Sequence, residues 1–232
     1  DRTAAAAEWR ERAAELRRRA EASGWDGNWY RRAYDDDGRP VGSAADETCR
    51  IDSISQSWAI FAGASEVRAT AALAAARAEL VLSDRKLARL LWPPFDSELR
   101  DPGYIGAYPP GVRENGGQYS HAVAWLGLAF AAIGDGAGAR DMFDMLNPLT
   151  HAADTASAEH YRTEPYAAAG DICSAGPAAG RGGWSWYSGA AACGWRAWCW
   201  CTTSPGGAGA AGPAAWPASS APGAAKSSRA SA

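Results

Sequence analysis

The chain has 232 residues, of which 47% are hydrophobic, and this length suffices for one large domain or two small ones. Its formal net charge is −3 without any basic block, which argues against a nucleic-acid-binding protein. No apolar run reaches the roughly 18–20 residues that a membrane helix needs. The five cysteines fit neither a disulfide framework nor a zinc site, and we expect them to be reduced, as in a cytoplasmic protein.

The N-terminal part of the sequence predicts one long helix and a short strand. Residues 4–22 have apolar positions at helical spacing, and Gly24 marks the end of this helix. The predicted apolar stripe consists of Trp9, Ala13, Leu16 and Ala20. Residues 28–34 are predicted to be a short strand, and the acidic run 35–37 a solvated turn.

The middle of the sequence predicts a series of helices separated by long loops rich in glycine and proline. The predicted helices are 51–62, 66–81 with Ser65 as N-cap, 120–133, 137–146 with Asp135 as N-cap, and one near 155–162. Residues 87–91 are predicted to be a strand, and 95–119 and 170–189 to be loops. The pattern predicts a mainly all-α fold of helical hairpins whose functional groups lie on loops at one end.

The last 36 residues differ from the rest of the chain. Residues 197–232 contain no Leu, Ile, Val, Met or Phe and consist mostly of Ala, Gly, Ser and Pro. Such a segment cannot bury enough apolar surface to offset the entropy lost on ordering, so we predict a disordered tail. A shifted reading frame in a GC-rich gene would produce this mixture of residues. We hypothesise that the tail arose in this way, and the coding nucleotide sequence would test it.

The densest group of candidate site residues runs from Arg113 to His121. Arg113 and Glu114 supply a donor fork and a pair of acceptors for sugar hydroxyls, and the two following glycines let the backbone approach a ligand closely. His121 lies in the first turn of the predicted helix, where the helix dipole favours an anion, with Ser120 as the candidate cap. A capped helix with a buried, satisfied histidine is the alternative.

Three further groups are weaker candidates. Ser188 and Gly189 offer a hydroxyl and an unhindered N–H to a phosphate oxygen, and the adjacent Trp186 and Tyr187 offer ring faces to a sugar. The alternative, that this segment is an aromatic loop which only packs against a barrel rim, is equally compatible with the sequence. The Arg and Asp of residues 49–58 predict a structural ion pair at a helix start. Glu164 is either a sugar ligand or a plain loop residue. With only three histidines, a histidine metal cage is not expected.

Five stretches together resemble glycoside hydrolase family ninety-four, the family of cellobiose and cyclic β-glucan phosphorylases, and within it the cyclic β-1,2-glucan synthase branch. They are residues 49–64, 101–125, 134–152, 161–172 and 180–191. The resemblance implies that residues 1–196 form the C-terminal part of an (α/α)6 barrel with short β-hairpins. It also implies inverting phosphorolysis of β-1,2-glucan to glucose 1-phosphate. His121, Ser188 and Gly189 would bind phosphate, while Arg113 and Glu114 would hold the acceptor sugar.

The chain departs from the family in one important respect. The family's general acid is an Asp in an Asp-Trp-Asn-Asp-Gly motif, and this sequence lacks that motif. We therefore expect the acid to lie upstream of this chain and the chain alone to be inactive. An inverting (α/α)6 hydrolase and a non-catalytic carbohydrate-binding piece remain alternatives. The expected partners are β-glucan and phosphate, without a cofactor. A homodimer is left open, as is anchoring of the parent protein in the inner membrane.

Overall fold

A computed structural model of the chain describes residues 2–96, 101–163 and 168–183. The helices are α1 Arg2–Ser23, α2 Ser53–Phe61, α3 Glu66–Leu80, α4 Ser120–Ala132, α5 Gly136–Leu146, α6 Pro148–His151 and α7 Thr155–Tyr161. Two-residue strands pair antiparallel, as β1 Ala33–Tyr34 with β2 Pro40–Val41, β3 Ile51–Asp52 with β6 Leu91–Trp92, β4 Val81–Leu82 with β5 Leu87–Ala88, and β7 Gln118–Tyr119 with β8 Asp171–Ile172. The predicted mainly α fold is confirmed.

The core lies between helices α3, α4 and α5. Helix α4 packs against α5 on one side and against α2 on the other, and α2 packs against α3. Leucines, alanines and methionines fill the shared interior, and a Cβ at Gly127 of α4 would lie 3.2 Å from the Met142 side chain of α5. Small residues at this contact therefore let the two helices approach closely. This core fixes the N-terminal ends of α2 and α4 next to the loops described below.

Helix α2 begins at Ser53 and not at residue 51 as predicted, because the two preceding residues form a strand. Ile51 and Asp52 belong to β3, and the Asp52 carboxylate caps α2 by accepting from the backbone N–H groups of Ile54 at 2.7 Å and Ser55 at 3.3 Å. The expected ion pair at this helix start exists, but the partner of Asp52 is Arg32 rather than the neighbouring Arg50. The pair ties the N-terminal segment to α2.

The predicted cap of α4 is wrong. The residue at the N-cap position is Tyr119, which makes no capping hydrogen bond with its side chain. The Ser120 hydroxyl instead donates to the carbonyl oxygen of Ala169, and its backbone N–H donates to that of Gly170 at 3.0 Å. The start of α4 is thus attached to the segment that leads into β8, which lies about 50 positions further along the chain.

The N-terminal prediction is right about the helix and wrong about most of the following strand. No residue of α1 is buried against the described part of the chain, and Trp9 and Leu16 are 64% and 63% exposed. Of residues 28–34, only Ala33 and Tyr34 are in a strand. The predicted boundary at residue 196 and the predicted tail lie outside the described residues.

Candidate functional site

The loop before β7 is folded around one buried side chain. Asn115, which is 1% exposed, accepts from the Phe95 N–H at 2.7 Å and donates to the carbonyl oxygens of Phe95 and Tyr108 at 3.2 and 2.9 Å. Gly116 has φ of +88°, and a Cβ at Gly117 would lie 2.8 Å from the Arg113 backbone nitrogen. The two glycines are therefore required by the turn itself, which connects Arg113 and Glu114 to β7.

Arg113 and Glu114 are two adjacent charged residues of this loop. Arg113 adopts a left-handed backbone conformation with φ of +47°, and its guanidinium lies 5.6 Å from the Tyr108 ring centre. The phenol of Tyr108 and the carboxylates of Asp171 and Glu114 raise the pKa of Arg113, so the group stays charged. One carboxylate oxygen of Glu114, Oε2, is buried and has no hydrogen-bond partner within the described residues.

Strands β7 and β8 place Tyr119 and Asp171 close to Arg113 and Glu114. In their ladder Tyr119 pairs with Asp171, and Gln118 pairs with Ile172. Asp171 is 7% exposed and acts electrostatically on both Arg113 and Tyr119. Burial raises the pKa of the Tyr119 phenol, and the adjacent Glu114 carboxylate raises it further. Tyr119 therefore remains protonated at neutral pH and can donate a hydrogen bond.

His121 lies in the first turn of α4 between two aromatic rings. The Tyr119 ring is 4.8 Å away at 80°, and the Trp125 ring is 4.6 Å away at 70°. Burial lowers the pKa of His121, and the Glu114 charge partly opposes this shift. The imidazole is consequently neutral at pH 7 and offers one N–H donor and one nitrogen acceptor.

The three histidines differ in whether a ring nitrogen forms a hydrogen bond to another described residue. His151 bonds the Met145 carbonyl at 2.8 Å, and His160 bonds the Ala179 carbonyl at 2.7 Å. Neither ring nitrogen of His121 has a hydrogen-bond partner in the part of the chain that the structure describes. The alternative of a buried and satisfied histidine therefore does not describe His121, although it describes His151.

Of the residues singled out in the sequence, the structure brings Arg113, Glu114 and His121 together near the N-terminal end of α4. The other predicted site residues, Glu164, Trp186, Tyr187, Ser188 and Gly189, lie outside the described residues. Sequence reasoning assigned no role to Trp125 or Asp171, and it included Tyr119 in the group from Arg113 to His121 without giving it a role. Only strand pairing across the chain places Asp171 beside the loop, and no local pattern around residue 171 indicates it.

The site joins charged and neutral hydrogen-bonding groups with aromatic rings at the loop end of helical hairpins. The mainly helical architecture is consistent with a fragment of an (α/α)-barrel domain. The chain belongs to the glycosyl hydrolase 94 superfamily, since residues 1–201 match the model of its catalytic domain. Within the described residues, no helix combines the length and the apolar character that crossing a membrane requires.

Several relatives share this domain. The cyclic beta-(1,2)-glucan synthase NdvB of Rhizobium meliloti (strain 1021) is 51% identical over 188 residues, which are 81% of this chain and 7% of that protein. Solabiose phosphorylase of Paenibacillus borealis is 33% identical over 80% of this chain and 23% of its own length. N,N'-diacetylchitobiose phosphorylase of Vibrio furnissii is 30% identical over 75% of this chain and 23% of its own length. The chain thus spans less than a quarter of each of these relatives.

Proposed function

We propose that this chain carries the phosphate-binding and acceptor-sugar-binding groups of an inverting β-glucan phosphorylase, which releases glucose 1-phosphate from a β-1,2-linked glucan. The observation that supports it best is the neutral His121 imidazole, which has no partner among the described residues and lies at the N-terminal end of α4. Relatives named as phosphorylases support the reaction class, and the relative named as a cyclic beta-(1,2)-glucan synthase supports the linkage.

In this proposal phosphate binds where the dipole of α4 favours an anion, and the His121 N–H donates to one of its oxygens. The Ser188 hydroxyl and the Gly189 backbone N–H complete the phosphate site. Arg113 donates to hydroxyls of the acceptor sugar, and Glu114 accepts from them. Trp186, Tyr187 and Glu164 contact the sugar rings.

Phosphate attacks the anomeric carbon from the face opposite the glycosidic oxygen, so the configuration inverts. As the new carbon–oxygen bond to phosphate forms, the bond to the leaving glucan breaks, and a carboxylic acid outside this chain protonates the leaving oxygen. A hydrolase would need a second carboxylate to activate water at the position that phosphate takes here. The unpartnered imidazole fits the anion better than it fits such a base.

Binding to the 232-residue chain tests this proposal. The three histidine Cε1–H signals are followed by NMR while inorganic phosphate is added, and His121→Asn assigns one of them. We expect phosphate to shift the His121 signal and to leave the His151 signal in place. His160→Asn is the control and should retain phosphate binding. Sugar binding without any response of His121 to phosphate would favour the hydrolase alternative.

A further inference from the structure

The backbone on both sides of Tyr119 is held by buried hydrogen bonds. Gln118, which is 0% exposed, accepts from the Ala88 N–H at 2.8 Å and donates to the Met145 carbonyl at 2.9 Å. On the other side Ser120 bonds the carbonyl oxygens of Ala169 and Gly170. Because successive side chains of a strand point to opposite faces, the core-facing Gln118 directs Tyr119 toward the loop and the site.

The ring of Tyr119 is one of the two surfaces that hold the His121 imidazole. It meets the imidazole edge to face at 4.8 Å, while Trp125 meets it from one turn further along α4 at 4.6 Å. Trp125 is itself supported by Trp58 of α2 at 5.3 Å. The imidazole is therefore oriented by aromatic packing, since it has no hydrogen bond to another described residue that could orient it.

Tyr119 pairs with Asp171 in the β7–β8 ladder, and its phenol lies within electrostatic reach of the charged groups of the loop. Glu114, Arg113 and Asp171 all act on it, and Glu114 is the strongest of them. The phenol can donate a hydrogen bond, and the Glu114 carboxylate can accept one. The Oε2 atom of that carboxylate is buried and has no hydrogen-bond partner among the described residues. A buried carboxylate oxygen is costly unless it accepts a hydrogen bond, so a ligand hydroxyl is the natural donor for it.

We propose, on the basis of the function proposed above, that Tyr119 is a positioning residue which orients Glu114 toward the acceptor sugar through its phenol and His121 toward phosphate through its ring. One side chain then aligns the groups that hold the two reactants. The two ends of Tyr119 can be altered separately. Tyr119→Phe removes the hydroxyl and keeps the ring, whereas Tyr119→Leu removes both.

The test measures phosphate affinity and sugar affinity of the 232-residue chain separately by NMR, using inorganic phosphate and a β-1,2-linked glucose disaccharide. We expect Tyr119→Phe to weaken disaccharide binding about threefold to tenfold, because the phenol no longer acts on the Glu114 carboxylate, and to leave phosphate affinity within about twofold. Tyr119→Leu should weaken both ligands. Tyr34→Phe, on the β1–β2 hairpin, is the matched control and should change neither affinity.

A double-mutant cycle with Glu114→Gln decides whether the phenol acts through Glu114. If it does, Tyr119→Phe should cost less than about twofold in disaccharide affinity once Glu114 has been replaced. An undiminished effect in that background, or an unchanged disaccharide affinity of Tyr119→Phe alone, would overturn the inference while leaving the proposed function in place. A wild-type chain that binds neither ligand would instead remove the proposed function and this inference together.

Discussion

At the scale of single residues, Asp52 shows how a buried charge is used structurally. It is 1% exposed, it pairs with Arg32, and it accepts two backbone N–H groups at the start of α2. Burial raises the pKa of Asp52, and the Arg32 charge and the two amides oppose that shift. The carboxylate thus connects the N-terminal segment to the start of α2.

We expect Asp52→Ala to destabilise the chain by about 3 kcal/mol, because it removes a helix cap and breaks a buried ion pair. Asp52→Asn should cost less, since the amide oxygen can still cap α2. Urea denaturation followed by circular dichroism measures both. Asp37→Ala is the control, because Asp37 forms an exposed pair with Arg39 and should cost less than about 0.5 kcal/mol. Equal losses for Asp52 and Asp37 would contradict the structural role.

The histidines predict how stability changes with pH. Burial lowers the pKa of both His121 and His151 below that of the unfolded chain. As the pH falls below about 6.5, the unfolded state therefore takes up protons before the folded state does, and folding stability falls. We expect the urea midpoint to drop between pH 7.5 and pH 5.5, and to drop less in His151→Asn.

The exposed His160 provides the comparison for this measurement, because His160→Asn should keep the full decrease of the wild-type chain. A midpoint that does not fall between the two pH values would show that neither imidazole controls the acid sensitivity, and one that falls equally in His151→Asn would show that His151 does not contribute to it.

At the scale of secondary-structure elements, two buried glutamines connect segments that are distant in the sequence. Gln56 of α2 bonds the N–H and the carbonyl of Tyr30, and Gln118 of β7 bonds Ala88 and Met145. Both are 0% exposed. The two-residue strands are too short to hold these segments by themselves, so the amide side chains complete the connection.

Replacing Gln118 with leucine keeps the size of the side chain and removes both hydrogen bonds. The Ala88 N–H then loses its acceptor in the interior, and among the described side chains the Met145 carbonyl keeps His151 as its donor. We expect a loss of about 1–3 kcal/mol in the free energy of unfolding. Arg10→Leu on the exposed α1 should change it by less than about 0.5 kcal/mol. A Gln118→Leu variant as stable as the wild type would refute the connecting role.

Much of the helical architecture could be predicted, because its signals are local. Ser65 and Asp135 cap α3 and α5 as expected, and glycines follow α2 and α4 closely. The errors concern partners that lie far along the chain. Ser120 bonds Ala169 instead of capping, and Asp52 pairs with Arg32 instead of Arg50. Arg113, Glu114 and His121 could be named from residue chemistry and resemblance. That Tyr119 and Asp171 lie side by side could be learned only from the β7–β8 pairing.

At the scale of the whole molecule, the chain matches residues of a catalytic domain while spanning less than a quarter of its relatives. We expect the isolated chain to release no measurable glucose 1-phosphate from β-1,2-glucan and phosphate. A positioned general acid contributes about 10²–10⁴-fold to such a reaction, and the family's acidic motif is absent from this sequence.

An enzymatic glucose 1-phosphate assay, with and without phosphate, checks this expectation, and added glucose 1-phosphate confirms that product is recovered. Phosphate-dependent release that Glu114→Gln abolishes would mean that a carboxylic acid in this chain serves as the general acid. The assignment of Glu114 to the acceptor sugar would then be wrong.

The β7–β8 ladder has a consequence for the order in which the chain folds. The hairpin of α4 and α5 closes over a few residues, whereas Tyr119 and Asp171 must meet across about 50 intervening positions. Closing a long loop costs entropy before its contacts repay it, so local hairpins form early and distant pairings form late. We therefore expect helix α4 to form before the β7–β8 ladder, so that Tyr119 and Asp171 come together late in folding.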